Sequence, residues 1–304
     1  MLMKFWRTTK TLLKISVTAL ALYWVFGKVE PRDLREALVQ SNPLFLVLAF
    51  IAYCGSILIA SSRLNGFFKG MGLHLSERYN LKLYLLGLFY NLFLPGGVGG
   101  DGYKIYFLRR KFHVKGRHLL TAVFFDRVSG LWALCLITAA LVLFIPQLNI
   151  PREVPIACVI AGSAAYYFVI NKYFNAFSRH FLITHLKALG VQSMQVVCAI
   201  LLLYALGFDG KFSPYLFMFL LSSLVAVVPF TVGGLGAREM VYVYGAEYFQ
   251  LDAHLAVLIS LLFYLTSALL AVMGSYFIFR PRGLGEDKLP TTDEVERGVD
   301  DEND

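Results

Sequence analysis

Charge is scarce in this chain. Asp, Glu, Lys and Arg make up 16% of its 304 residues, well below the quarter or so usual for a soluble domain, which argues against an ordinary water-soluble globule. Cysteine is scarce too. Cys54, Cys135, Cys158 and Cys198 all lie in apolar runs with no CxxC pair, so they read as small buried hydrophobes and not as a disulfide or zinc framework. No pair of His residues has HExxH spacing, and no Gly-Lys-Ser/Thr follows the glycine run GGVGGDG. Neither a zinc hydrolase, a Walker loop nor a dinucleotide fingerprint is indicated, and no metal or cofactor is expected.

Apolar residues are abundant. They form 58% of the chain, mean hydropathy is +0.63, and runs of membrane-spanning length recur from end to end, the pattern of a polytopic α-helical membrane protein. The formal charge of +8 sits mostly in linkers between these runs, where positive-inside bias would put it, and implies no nucleic-acid partner. Residues 1–280 read as one transmembrane domain. Residues 281–304, polar and then heavily acidic, read as a disordered cytoplasmic tail.

The linker charges give a topology. Lys4, Arg7, Lys10 and Lys14 precede a first apolar segment at about residues 11–27, placing the N-terminus in the cytoplasm; that segment is read as a retained span and not a cleaved signal peptide. A second span covers about Asn42–Ser61 and returns to a linker with Arg63, Lys69, Arg78 and Lys82. Further spans are expected at about 118–145, 155–170, 191–206 and 253–279, with an interfacial helix among Lys172, Arg179 and Lys187. Both termini then lie inside.

Two segments do not fit as straight spans. Leu83–Leu108 is apolar, yet it is followed by Arg109, Arg110, Lys111, Lys115 and Arg117 and preceded by the basic linker, so both of its ends belong on the cytoplasmic side. Two half-length helices of about 11 residues, meeting at Pro95–Gly100, resolve this, because a full crossing needs about 20. Pro95, Gly96, Gly97, Gly99 and Gly100 break the helix, and Asn91 could satisfy backbone groups freed there. The stretch Pro214–Phe249 has a second break at PFTVGGLG, through Pro229, Gly233, Gly234 and Gly236, and reads as a hairpin entering from outside. The expected fold is about six full crossings plus two re-entrant broken hairpins. Their shared glycines suit an inverted repeat, or convergent glycine use.

Charges within such breaks are costly and tend to face a partner, a cavity or an ion path. Asp101 and Lys104 follow the first break, Arg238 and Glu239 the second, and Asp126–Arg127 sit early in a long span. Neighbouring residues on a helix point about 100° apart, so Asp126 and Arg127 should serve different partners. Arg238 and Glu239 either line a site or pair structurally with each other or with Asp101. Arg109, Arg110, Lys111 and Arg117 set topology and touch anionic headgroups.

Three motifs in order carry a family resemblance. N-x-x-LPGG-x-GGD (Asn91–Asp101), DR followed by SGL (Asp126–Leu131), and P-x-T-x-GGLG-x-RE (Pro229–Glu239) resemble the transmembrane, flippase-like domain of lysylphosphatidylglycerol synthases. In that family the membrane domain moves aminoacylated phosphatidylglycerol, while a separate soluble domain charges the lipid. Here the chain stops shortly after its last apolar run, so the resemblance implies a stand-alone lipid translocator without aminoacyl transfer, in a bacterial inner membrane. Its implied partners are anionic or aminoacyl phospholipids, with a lipid-modifying enzyme as a fitting neighbour. Two other readings stay open: a non-transporting subunit of an envelope lipid or glycan pathway, and a membrane-embedded lipid-modifying enzyme.

Overall fold

The computed structural model describes residues 31–93, 99–178, 180–227, 236–286, 289–290 and 294. The expected first span and residues 295–304 lie outside these, as do Pro95, Gly96, Gly97, Pro229, Gly233 and Gly234. The described residues are mostly helical, without strands, and five helices are long and apolar enough to cross a membrane.

A short helix, α1 (Pro31–Gln40), leads into α2 (Pro43–Gly70). Asn42 caps α2, its Oδ1 accepting from Leu44 N at 3.0 Å, with Pro43 at the first position, where its missing N–H costs nothing. The Asn42 N–H donates to the carbonyl of Ala205 at 2.7 Å. Ala205 ends α8 (Phe181–Ala205). At the other end of the pair, Lys187 Nζ reaches Ser62 Oγ at 2.8 Å. These two contacts make α2 and α8 an antiparallel spine. Small residues permit the close approach: a Cβ on Gly66 would sit 3.0 Å from Thr184, and one on Gly190 3.7 Å from Ile59. Where lipid replaces water, such packing supplies what hydrophobic burial cannot.

The spine fixes two poles. Asn42 and Ala205 mark one, and Arg63, Lys69 and Lys187 crowd toward the other, the basic pole. The second span was expected to stop near Ser61, but α2 continues for two and a half turns, because Leu64, Phe67 and Phe68 carry its apolar face onward and are all buried. That extension draws Arg63 into the protein.

From the basic pole the chain enters α3 (Glu77–Phe93), breaks, and returns as α4 (Gly99–Phe112). Asn80 Nδ2 binds Ser61 O at 2.6 Å, and Asn65 Nδ2 binds Glu77 Oε1 at 2.9 Å, tying the root of α3 to α2. Burial alone would raise the Glu77 carboxyl, but hydrogen bonds from Lys69 and Asn65 outweigh it and hold the group below the ordinary carboxylate range. Tyr79 meets Phe112 edge-on at 6.0 Å. Both ends of the segment therefore lie side by side at the basic pole, as a hairpin requires. Its helices exceed the expected half-length because charged residues at each end extend them beyond the apolar run.

Next, α5 (Gly116–Val142) crosses to the opposite pole, and a 3-10 turn at Pro146–Leu148 leads to α6 (Glu153–Tyr173). The interfacial helix expected between Lys172 and Lys187 is a single turn, α7 (Asn175–Ser178), because α8 starts ten residues before the expected Val191. Then α9 (Phe212–Val227) and α10 (Ala237–Phe249) form the second hairpin. Phe217 packs edge-on to Phe249 at 6.1 Å, and Tyr248 Oη donates to Gln147 O at 3.2 Å. This hairpin is thus rooted at the pole opposite to the first.

The chain closes with α11 (Ala253–Met273), the short α12 (Tyr276–Phe279) and a 3-10 turn, Pro281–Leu284, back at the basic pole. Disorder was expected from residue 281. Instead, the described part of this segment docks as a strap. Leu284 and Leu289 are buried in one core cluster with Tyr103, Phe107 and Leu108. Lys82 Nζ donates to Gly283 O at 3.1 Å, and Lys111 Nζ donates to the Leu284 carbonyl and, at 3.0 Å, to that of Gly285. Two buried leucines and satisfied carbonyls supply what the composition of the tail alone does not suggest.

Candidate functional site

Among the described residues, a polar contact and a backbone contact flank the first break. Asn91 Oδ1 accepts from Gly100 N at 2.8 Å, satisfying one of the orphan donors that open every helix. Asn91→Ala is expected to cost about 1 kcal/mol, as capping losses do, read as earlier thermal unfolding of the purified protein; unchanged melting would remove this role. Beside it, α4 touches α3 through Gly100, where any Cβ would overlap the Gly87 carbonyl.

One residue on, Asp101 is 6% exposed and takes two cations. Lys104 Nζ lies 2.6 Å from Oδ1 within the same helix, and both Nε and Nη2 of Arg127 lie 2.5 Å from Oδ2. Lys104 also sits over the Tyr84 ring, 4.8 Å from its centroid. The neighbouring Asp126 turns away from Arg127 and meets Arg63 in a two-pronged fork, Nε–Oδ1 at 2.7 Å and Nη2–Oδ2 at 3.1 Å. Arg63 and Asp126 are each 7% exposed. Sequence reasoning left Arg63 in a linker. The signal that could have found it is the apolar i, i+3, i+4 spacing of Leu64, Phe67 and Phe68 just beyond it.

The second break is organised differently. Gly236 opens α10 at φ 83°, a conformation that glycine adopts without strain, and its N–H donates to Glu239 Oε2 at 2.6 Å. The other oxygen, Oε1, accepts from Ser260 Oγ at 2.7 Å. Glu239 is fully buried, with its carboxylate bound by a backbone and a hydroxyl donor and not by Arg238. The Arg238 guanidinium lies over the Phe263 ring at 5.5 Å, with Nη2 3.5 Å from Ser223 Oγ and with an enclosed Nε that has no hydrogen-bond partner among the described residues. Among the described residues no carboxylate lies within ion-pair distance of it.

Depth follows from helix rise. Arg127 is eleven residues into α5 from Gly116, about 17 Å from the basic pole, while Ser260 is eight residues from the Asp252 cap, about 12 Å from the opposite pole. In a hydrocarbon core about 30 Å thick, both charged groups sit near mid-depth. Between them stand Tyr84, within electrostatic range of Asp126, Arg63, Asp101 and Tyr53, and Tyr53, within range of Arg238. Tyr53 in turn meets Phe263 edge-on at 5.5 Å. The charges expected to share one cavity are therefore divided. Asp101 and Lys104 of the first hairpin group with Arg127 of α5, Asp126 takes Arg63 of α2, and Arg238 and Glu239 stay at the second hairpin, with aromatic residues between the two hairpins.

The expected headgroup contacts are also divided. Arg110 and Arg117 are exposed and Arg109 is partly so, whereas Lys111 is engaged by the strap and lies 3.4 Å from Glu286. Arg110 pairs with Glu294 at 3.5 Å. Among the described residues no group of three or more His, Cys, Asp or Glu is placed to hold a metal.

Spans, paired breaks and mid-depth charge define a polytopic helical membrane protein with broken hairpins entering from opposite poles. The sequence matches the lysylphosphatidylglycerol synthase TM region over residues 11–171 and 170–274, and the chain belongs to that family. It is also 30% identical over 76 residues to a UPF0104 membrane protein of Pyrococcus horikoshii, a match covering 25% of this chain and 23% of that protein.

Proposed function

We propose that this chain admits the headgroup of an anionic or aminoacylated phospholipid to the polar groups at its two hairpins and lets it cross the inner, cytoplasmic membrane. The observation that carries the reading is Arg238. A guanidinium placed at mid-depth, stacked on Phe263 and with no carboxylate within ion-pair distance among the described residues, costs a great deal in lipid unless an anion visits it. A phosphodiester is the anion that a lipid brings there, and guanidinium recognises it well.

Asp101 and Lys104 on the first hairpin, with Arg127 of α5, form the complementary group. Their internal pairing leaves a cation-rich cluster that a phosphate can share, while Asp101 can meet a cationic aminoacyl group. The membrane family supports lipid handling as the general class.

The test is translocation in proteoliposomes, using headgroup-labelled phosphatidylglycerol and its lysyl form. Arg238→Gln, confirmed as folded, is expected to lose most of the wild-type rate, about tenfold or more if the guanidinium meets a desolvated phosphate. Wild-type movement that survives intact in folded Arg238→Gln would falsify the assignment of this arginine.

A further inference from the structure

Where the strap leaves the last span, it closes a cleft of about 860 Å³ against the root of the first hairpin. Lys82 of α3 forms one wall and Arg280 and Arg282 the other, with Tyr276, Phe277 and Phe279 completing the lining. Among the described residues no acid lines it, and Glu286 faces Lys111 at 3.4 Å.

Two of these cations, Lys82 and Arg280, are positioned by contacts of the fold. Lys82 donates to Gly283 O at 3.1 Å, which uses one of its three protons and anchors the ammonium at the mouth. The Arg280 guanidinium lies over the Tyr276 ring, 5.3 Å from its centroid, leaving its edge donors directed past the ring. Gly283 lies at the cleft between Phe277 and Lys82, where a Cβ would make ordinary contacts at 3.8 and 4.0 Å. The rim is apolar and outward-facing, with Phe279 82% exposed and Tyr276 52% exposed. Aromatic residues flanking cations at the end of a span are the composition of a headgroup-level belt.

We propose that this cleft is a peripheral binding site for a phosphate-bearing anion, specifically the phosphodiester headgroup of an anionic lipid in the leaflet at the basic pole. Free phosphate shares the charge chemistry, but it leaves the exposed Phe279 and Tyr276 uncovered, whereas a lipid brings acyl chains to them. The site is remote from the mid-depth charges. It would hold a resident lipid against the strap and the first hairpin, and so does not depend on transport.

The experiment titrates the purified full chain in detergent with dioctanoyl phosphatidylglycerol, dioctanoyl phosphatidylcholine and inorganic phosphate, following thermal stability and bound lipid by native mass spectrometry. Phosphatidylglycerol is expected to stabilise wild type. Its apparent affinity should weaken about fivefold for each cation removed in Lys82→Gln and Arg280→Gln. Phosphatidylcholine should bind more weakly and respond little to either change. Equal phosphatidylglycerol binding by wild type and both variants overturns the site. Inorganic phosphate matching the lipid in dose, and lost in the same variants, overturns the lipid and assigns the cleft to a free anion. If Lys82→Gln loosens the strap and fails to fold, Arg280→Gln, on an exposed side chain, decides alone.

Discussion

Arg63→Ala is expected to destabilise the folded protein by about 3–5 kcal/mol, the range for stripping one partner from a buried ion pair. The geometry leaves Asp126 little relief. Its two oxygens are matched by the Arg63 fork at 2.7 and 3.1 Å, and the pair is enclosed between α2 and α5. Without the guanidinium, the carboxylate must take a proton or drag water inward. The double replacement Arg63→Met with Asp126→Leu removes both charges and keeps apolar volume, so it should regain most of the loss. A melting series of wild type, each single variant and the double checks this. If the single variants melt like wild type, the pair contributes no stability. If the double variant is as stable as wild type yet inactive, the pair serves something other than folding.

Gly100→Ala should be the most damaging conservative change at the hairpins. The added methyl overlaps the Gly87 carbonyl oxygen and lies 2.6 Å from the carbonyl carbon. Both are backbone, so no rotamer change relieves the clash, and α3 and α4 must separate. Overpacking costs roughly 1–3 kcal/mol where side chains can move aside; this substitution should reach the top of that range or pass it. Separation also pulls Gly100 N away from Asn91 and shifts Asp101 relative to Arg127. Gly87→Ala is the informative control. Its methyl would meet the Lys104 chain at 3.0 Å and the Gly100 carbonyl oxygen at 3.3 Å, a tight approach but not the overlap met at Gly100, so this variant should melt closer to wild type. Equal melting of the two variants would contradict the backbone-contact account.

Much of this architecture was legible before the structure, for stated reasons. Apolar runs and basic linkers placed α2, α5, α6, α8 and α11 within a few turns, because segment length and charge are read by the same bilayer physics that orders them. The hairpin at Glu77–Phe112 was legible because two basic ends cannot lie across a membrane from each other. Three things were not legible. Arg63 looked like linker charge because a buried fork with Asp126, sixty-three residues away, leaves no local trace. Asp101, Arg238 and Glu239 looked like one cluster because glycine breaks do not encode their distance apart. The strap looked disordered because Leu284 and Leu289 are too few to signal burial without the Tyr103 surface that receives them.

Mid-depth placement of Arg238 has an electrical meaning. A charge carried across the whole membrane exchanges about 2.3 kcal/mol per 100 mV with the transmembrane potential. An anion held partway, over Phe263, would have traversed a fraction of that drop. In a membrane whose cytoplasmic side is negative, the field would drive such an anion toward the opposite face and oppose its return. A phospholipid with net negative charge and its neutral or cationic aminoacylated form would therefore feel different forces at the same arginine, and membrane voltage alone would distinguish them.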